Sequence, residues 1–169
     1  SIQATYRDSN LGDLLEHYGV RLTRNLVLDR YNSLIRFQTG YTVVQTPYPF
    51  FTKVIKTGFD PENPIVSQLE SVTFPWACAL EVLKDAHPDL SFTLLAQSSE
   101  HSWLQKGMYD LNPTQEFYQE PGDVKPYALA VLVSGKFKSF YAGKEVPAGE
   151  EAQAEEKKPE ENKDKEPPK

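Results

Sequence analysis

A β-rich α/β domain, α+β-like in layout, with a mixed sheet and two or three short helices, is the fold class this sequence predicts. Three observations carry it. The stretch Asn10–Asp29, NLGDLLEHYGVRLTRNLVLD, reads as a helix, a glycine stop and a strand, and such an α-to-β step is a building unit of layered α/β architectures. Apolar runs of strand length follow, above all Leu90–Ala96 (LSFTLLA) and Tyr127–Val133 (YALAVLV). Strand-like segments outnumber helical ones along the chain, and strands and long helices do not alternate regularly.

Asn10 is expected to cap a helix on which Leu11, Leu14, Leu15 and Tyr18 recur at helical spacing, and Gly19 suits a left-handed C-terminal cap. A short polar bend then leads to Leu26, Val27 and Leu28, a buried strand ending at Asp29. Arg30–Gly40 is polar and mixed, which predicts a loop or irregular edge. Tyr41–Gln45 has strand composition. The prolines of Thr46–Phe51 break regular pairing because each lacks a backbone donor and restrains the residue before it. Thr52–Ile55 can resume extended structure. Asp60–Pro64 is a turn, with Pro64 placed to start a short helix over Ile65–Leu69. Within Ser71–Val82 the residues Val72, Phe74, Trp76, Cys78 and Leu80 alternate and give one face an apolar stripe, while Pro75 predicts a bulge or edge position. Ser98–Lys106 reads as a loop with a short helical turn around Trp103. Ser134–Gly135 is placed to turn the chain back into Lys136–Tyr141 as a hairpin.

The globular part is expected to span residues 1–144. From Glu145 the chain reads EVPAGEEAQAEEKKPEENKDKEPPK, without an aromatic residue. Such a stretch cannot bury enough apolar surface to offset its ordering entropy, so residues 145–169 are expected to be a disordered Glu/Lys/Pro-rich tail or linker. The formal net charge is −6, and from Lys144 onward nine acidic residues face six lysines, so half of that charge lies in the tail. The remainder is mildly acidic and lacks the basic stripe that tracks a nucleic-acid backbone, which argues against a nucleic-acid partner. One cysteine, Cys78, excludes an internal disulfide framework. No apolar run approaches the ~20 residues needed to cross a bilayer. With neither a signal peptide nor an initiating methionine, the chain reads as a portion trimmed from a longer protein.

Tests for chemistry select no reactive group. Cys78 sits in PWACAL, in phase with Trp76 and Leu80, without the glycines of a nucleophile elbow, and reads as a structural cysteine. His17, His87 and His101 are far apart and form no metal-ligand spacing. Asp85 with Asp89 and Glu116 with Glu120 are carboxylate pairs without a pocket signal, readable as solvated acids at turns. Gly135–Lys136 and Gly143–Lys144 lack the rest of a phosphate loop. No catalytic residue, cofactor or metal is therefore expected. The candidate interaction surface is aromatic: Tyr48, Phe50 and Phe51 in the proline-punctuated stretch, and Trp103 among polar residues. Exposed together they would make a recognition patch; the alternative is packing beneath irregular loops.

Several segments, taken in order, resemble a known family. They are DLLEHYGVRLTRNLVLD (Asp13–Asp29), PYPFF (Pro47–Phe51), NPIV with LESVTFP (Asn63–Val66 and Leu69–Pro75), LLAQSS with SW (Leu94–Ser99 and Ser102–Trp103), and YALAV with GKFKSFYAGK (Tyr127–Val131 and Gly135–Lys144). Together they resemble the GldG-type auxiliary proteins of ABC transporters, named for gliding motility and related to intraflagellar transport domains. The resemblance implies a glutamine-amidotransferase-like layered α/β domain, here as the middle portion. It also implies a non-catalytic extracytoplasmic (periplasmic) domain of an inner-membrane protein that acts by protein-protein or substrate interaction. Its partners would be the permease and ATPase subunits, engaged through the full-length protein, with membrane attachment only through segments this chain lacks. Two rival expectations remain: a glycan- or peptide-binding module using the same aromatics, and a cysteine-dependent hydrolase centred on Cys78.

Overall fold

The computed structural model describes residues 3–5, 10–107, 109–117 and 124–144. The chain divides into two compact units, 1–137 and 138–169. The first unit runs β1 (Gln3–Ala4), α1 (Gly12–His17), β2 (Val20–Asp29), β3 (Asn32–Thr39), β4 (Thr42–Ile55), β5 (Ser71–Pro75), β6 (Cys78–Val82), β7 (Leu90–Gln97), β8 (Ser102–Gln105), β9 (Tyr109–Asp110) and β10 (Ala128–Gly135). Single 3-10 turns lie at Lys56–Gly58 and Lys84–Ala86. The described part of the second unit is Lys138–Lys144, where Lys144 Nζ sits 3.6 Å over the Phe140 ring. The expected tail, residues 145–169, lies outside the described residues.

Among the described residues three sheets form: a five-stranded sheet in the order β7-β10-β6-β2-β8, a three-stranded sheet β3-β4-β5, and a β1-β9 pair. Every pairing among the described residues is antiparallel. This corrects the expected mixed sheet. Parallel neighbours need a crossover, usually a helix, and the single α-helix among the described residues has six residues. A helix that short, ~9 Å long, cannot cover a sheet face, so the expected amidotransferase-like layering is not found among the described residues.

The core follows from the period-two geometry of β2, whose successive side chains point to opposite faces. Val27 is fully buried in one cluster with Val54, Phe59, Val66, Ala79, Ala96, Tyr127 and Leu129. Its neighbour Leu28 is buried in a second cluster with Tyr48, Phe50 and Trp103. β2 is thus the strand shared by two cores. Thr52 Oγ1, fully buried on β4, donates to the Val27 carbonyl at 3.1 Å and ties the two larger sheets together.

The helix-glycine-strand step is present with altered ends. Leu11, not Asn10, occupies the cap position and makes no side-chain cap hydrogen bond, because Asn10 is itself in the left-handed region at φ 56°. Gly19 ends the helix at φ 83°, donating its N–H to the Glu16 carbonyl at 2.9 Å. A β-carbon there would lie 2.6 Å from the Phe92 ring, so both conformation and space require glycine. The polar bend expected after it belongs to β2, with a register irregularity between Leu22 and Leu26.

Other expectations change for identifiable reasons. Arg30–Gly40 is largely strand β3, not loop. The prolines do not end β4, because the register skips there: Leu34 pairs with Pro47 while Asn32 pairs with Thr52. Asn32 Oδ1 accepts the Tyr48 N–H at 2.9 Å inside that skip. Residues 64–68 form turns in place of a helix, with Asn63 Oδ1 accepting the Ile65 N–H. The apolar stripe of Ser71–Val82 is broken at Trp76, whose φ of 49° turns the chain from one sheet into another. Ser102–Gln105 is strand, and residues 136–139 carry no strand, so the final hairpin is absent.

Candidate functional site

A cleft of about 320 Å³ opens where the β2–β3 turn, the end of β4 and the β7–β8 turn converge. Tyr31, Lys53, Thr57, Gln97, Ser99 and His101 are among its lining residues. Gly58 allows the wall to close tightly: a β-carbon there would lie 2.7 Å from the Gln97 carbonyl oxygen. Tyr31 and His101 face one another, ring centroids 6.3 Å apart.

Beneath the cleft lies a buried polar network. Asp29 is fully buried at the end of the LVLD run. Its Oδ1 accepts the Tyr31 N–H at 2.8 Å and the Ser99 hydroxyl at 2.6 Å, and its Oδ2 accepts the Ser99 N–H at 2.7 Å. Charge-assisted bonds of this length are the strong class. Asn32 Nδ2 donates to the Asp29 and Arg30 carbonyls, both at 3.0 Å, closing the turn from the other side. Ser98 Oγ accepts the Tyr127 N–H at 2.8 Å and lies 2.6 Å from Ser102 Oγ. Ser102 Oγ in turn reaches the Ser99 and Lys125 carbonyls at 2.7 and 2.6 Å. Among the described residues no buried side-chain polar atom lacks a partner.

The residue types Ser99, Asp29 and His101 invite comparison with a hydrolytic triad, but the roles do not match. In a triad the imidazole bridges serine and carboxylate. Here the carboxylate holds the serine hydroxyl directly, and His101 reaches Ser99 Oγ only through its backbone N–H, at 3.0 Å. The arrangement fastens two turns together and does not activate a nucleophile. The cleft side chains differ in this respect. The Tyr31 hydroxyl, Lys53 ammonium, Thr57 hydroxyl and Gln97 amide make no side-chain hydrogen bond among the described residues. They present donors and acceptors to whatever enters.

The aromatic surface expected from sequence is corrected. Tyr48 and Trp103 are 3% and 4% exposed and Phe50 is fully buried, all within the second core. Tyr48 donates its hydroxyl to the Leu111 carbonyl at 2.8 Å, and burial pushes its phenol above the usual range. The register skip accompanies the inward turn of Tyr48 and Phe50, and Trp103 reaches the same core from β8. Phe51 is half-buried and meets exposed Trp76 edge-on, ring centroids 4.8 Å apart.

Cys78 is half-buried beside an apolar recess of about 430 Å³ whose walls include Leu26, Trp76 and Tyr109. Burial pushes its thiol up, the opposite of what a thiolate nucleophile needs. In the folded protein Cys78 is expected to react with a soluble thiol reagent more slowly than free cysteine at neutral pH. Its rate should keep climbing at pH values where a free thiol has levelled off. Rapid neutral labelling would reopen the hydrolase reading. Of the histidines, His87 Nε2 lies 3.1 Å from the Glu16 carbonyl, and no metal-holding cluster of His, Cys, Asp and Glu occurs among the described residues. Glu120 lies outside them.

Asp29, Ser98, Ser99 and Ser102 lie in segments whose sequence alone gives them no role. The one available signal was an aspartate closing an apolar strand, since a carboxylate there needs donors from elsewhere.

Comparison with known proteins places these features in context. The profile of a family described as "ABC-type uncharacterized transport system" matches residues 1–166. An "Uncharacterized protein" of Borreliella burgdorferi is 28% identical over 136 residues, covering 79% of this chain and 26% of that protein. The chain therefore spans about a quarter of that relative's length. No solved structure matches.

Proposed function

Because this chain belongs to the family of ABC-type uncharacterized transport system proteins, we propose that it is a non-catalytic domain of a transporter accessory protein, working by contact. In the finer reading it is of the GldG, gliding-motility type. It stands on the extracytoplasmic side of the membrane and meets the permease and ATPase subunits, or the transported substrate, as part of the full-length protein. The observation that supports this is the division of labour at the cleft. Asp29, Ser98, Ser99 and Ser102 are engaged in holding turns together, while the groups facing the opening are positioned to bind.

Co-purification tests this reading. The full-length protein, solubilised in mild detergent, is expected to bring down an ATPase and a permease. Recovery without either subunit would reject it. A peptide- or glycan-binding module is the second reading, favoured by the same open donors and acceptors, with the cleft replacing the buried aromatics as the contact surface. Ligand-induced NMR shifts confined to Tyr31, Lys53, Gln97 and His101 would support it, and silence across a broad panel would remove it.

A further inference from the structure

The β3–β4 hairpin carries an outward surface that neither core nor cleft accounts for. Opposed residues of an antiparallel ribbon share a face, and the register pairs Leu34 with Pro47, Arg36 with Gln45 and Gln38 with Val43. All six are exposed. The other face turns inward: Ile35 packs against the second core and Phe37 is half-buried. At the tip Tyr41 is completely exposed, and Val43 and Leu34 are 67% and 56% exposed.

The charged side chain on this outward face is a cation, Arg36. Between Arg30 and Phe59 there are four cations and no acid, in a chain of net charge −6. Lys56 is paired with Glu70 at 3.3 Å and Lys53 belongs to the cleft, whereas Arg36 lies on the outward face of the ribbon and forms no ion pair among the described residues.

We propose that this ribbon docks on an anionic lipid surface, with Tyr41, Val43 and Leu34 entering the headgroup layer and Arg36 meeting lipid phosphate. A tyrosine suits that depth, its ring in the apolar boundary and its hydroxyl toward water. Six outward side chains fall well short of the roughly 20–30 residues a side that a stable protein interface takes. On a membrane each such group adds its own small increment, about 1 kcal/mol for a cation at an anionic surface, so the contact expected of this face is weak and reversible. An acidic chain is repelled as a whole by an anionic membrane, so any preference for one must come from a local surface such as this. The inference does not depend on the transporter partners, and failure of co-purification would leave it standing.

Vesicle flotation tests it. The chain is expected to float with vesicles of equal parts phosphatidylglycerol and phosphatidylcholine, and much less with phosphatidylcholine alone. The double variant Tyr41→Ser, Val43→Ser should weaken binding about tenfold or more. Arg36→Gln should weaken it about fivefold on the mixed vesicles and leave phosphatidylcholine unaffected. These side chains are exposed, and unchanged thermal melting would confirm that the fold is kept. No flotation, or flotation equal for wild type and the double variant, overturns the proposal. So does a concentration-dependent dimer abolished by the same double variant, which would make the ribbon a contact between copies of this chain.

Discussion

Asp29→Ala is expected to lower stability by about 2–4 kcal/mol, because it removes the one carboxylate on which three donors at the base of the cleft converge. The Tyr31 N–H, the Ser99 N–H and the Ser99 hydroxyl all end on this carboxylate, and Asp29 is fully buried. For a domain of this size, that loss corresponds to a melting temperature about 10–20 °C lower. Graded variants separate the causes. Asp29→Asn keeps one acceptor oxygen able to serve the Tyr31 N–H and the Ser99 hydroxyl, so it should fall between wild type and alanine. Ser99→Ala removes one donor and leaves the carboxylate with two backbone partners, so about 1–2 kcal/mol is expected. Thermal melting of the three variants checks the order. If Asp29→Ala melts with wild type, the network is not structural, and the role of Asp29 would have to be sought in the cleft.

The ease with which parts of this fold could be read tracks where their causes lie in the chain. β7, β10 and the end of β2 are continuous apolar runs whose reason is local, and they stand as strands where the sequence put them. β3 is legible in principle but hidden by its average composition. Ile35 and Phe37 alternate with exposed Leu34, Arg36 and Gln38, yet averaged over Arg30–Gly40 the segment is polar. The proline stretch was misjudged for a subtler reason. Proline forbids a ladder bond, but β4 places Tyr48–Phe51 where its partner strand skips, so little pairing is lost. The β-rich character holds, but the mixed sheet and the layered α/β arrangement do not, because one helix-to-strand step does not stand for the whole connectivity. The later connections are turns and corners, such as Trp76 with its positive φ. Asp29 and Ser99 are 70 residues apart, and no local pattern in either segment names the other. The cleft that rests on them could only be seen once the chain had folded.

Phe50→Ala distinguishes a recognition surface from a core, and the core outcome is expected at about 3–5 kcal/mol. Phe50 is fully buried, with the rings of Tyr48 and Phe117 5.3 and 5.8 Å away, and Leu28 and Trp103 completing its cluster. Removing it leaves a void that close-packed neighbours fill only in part. Trp76→Ala is the companion measurement. Trp76 is 47% exposed, and its main described ring contact is the edge-on one with Phe51, so its loss should cost about 1 kcal/mol. A recognition patch would give the reverse pattern for Phe50: near-normal melting with lost partner binding. Steep destabilisation at Phe50 with near-normal melting at Trp76 would place the aromatic contribution of PYPFF inside the protein. Partner contact would then fall to the cleft, the exposed Trp76 corner and the β3–β4 ribbon. Equal, small effects at both positions would mean that the second core is looser than its geometry implies, and the aromatic surface would return as a candidate.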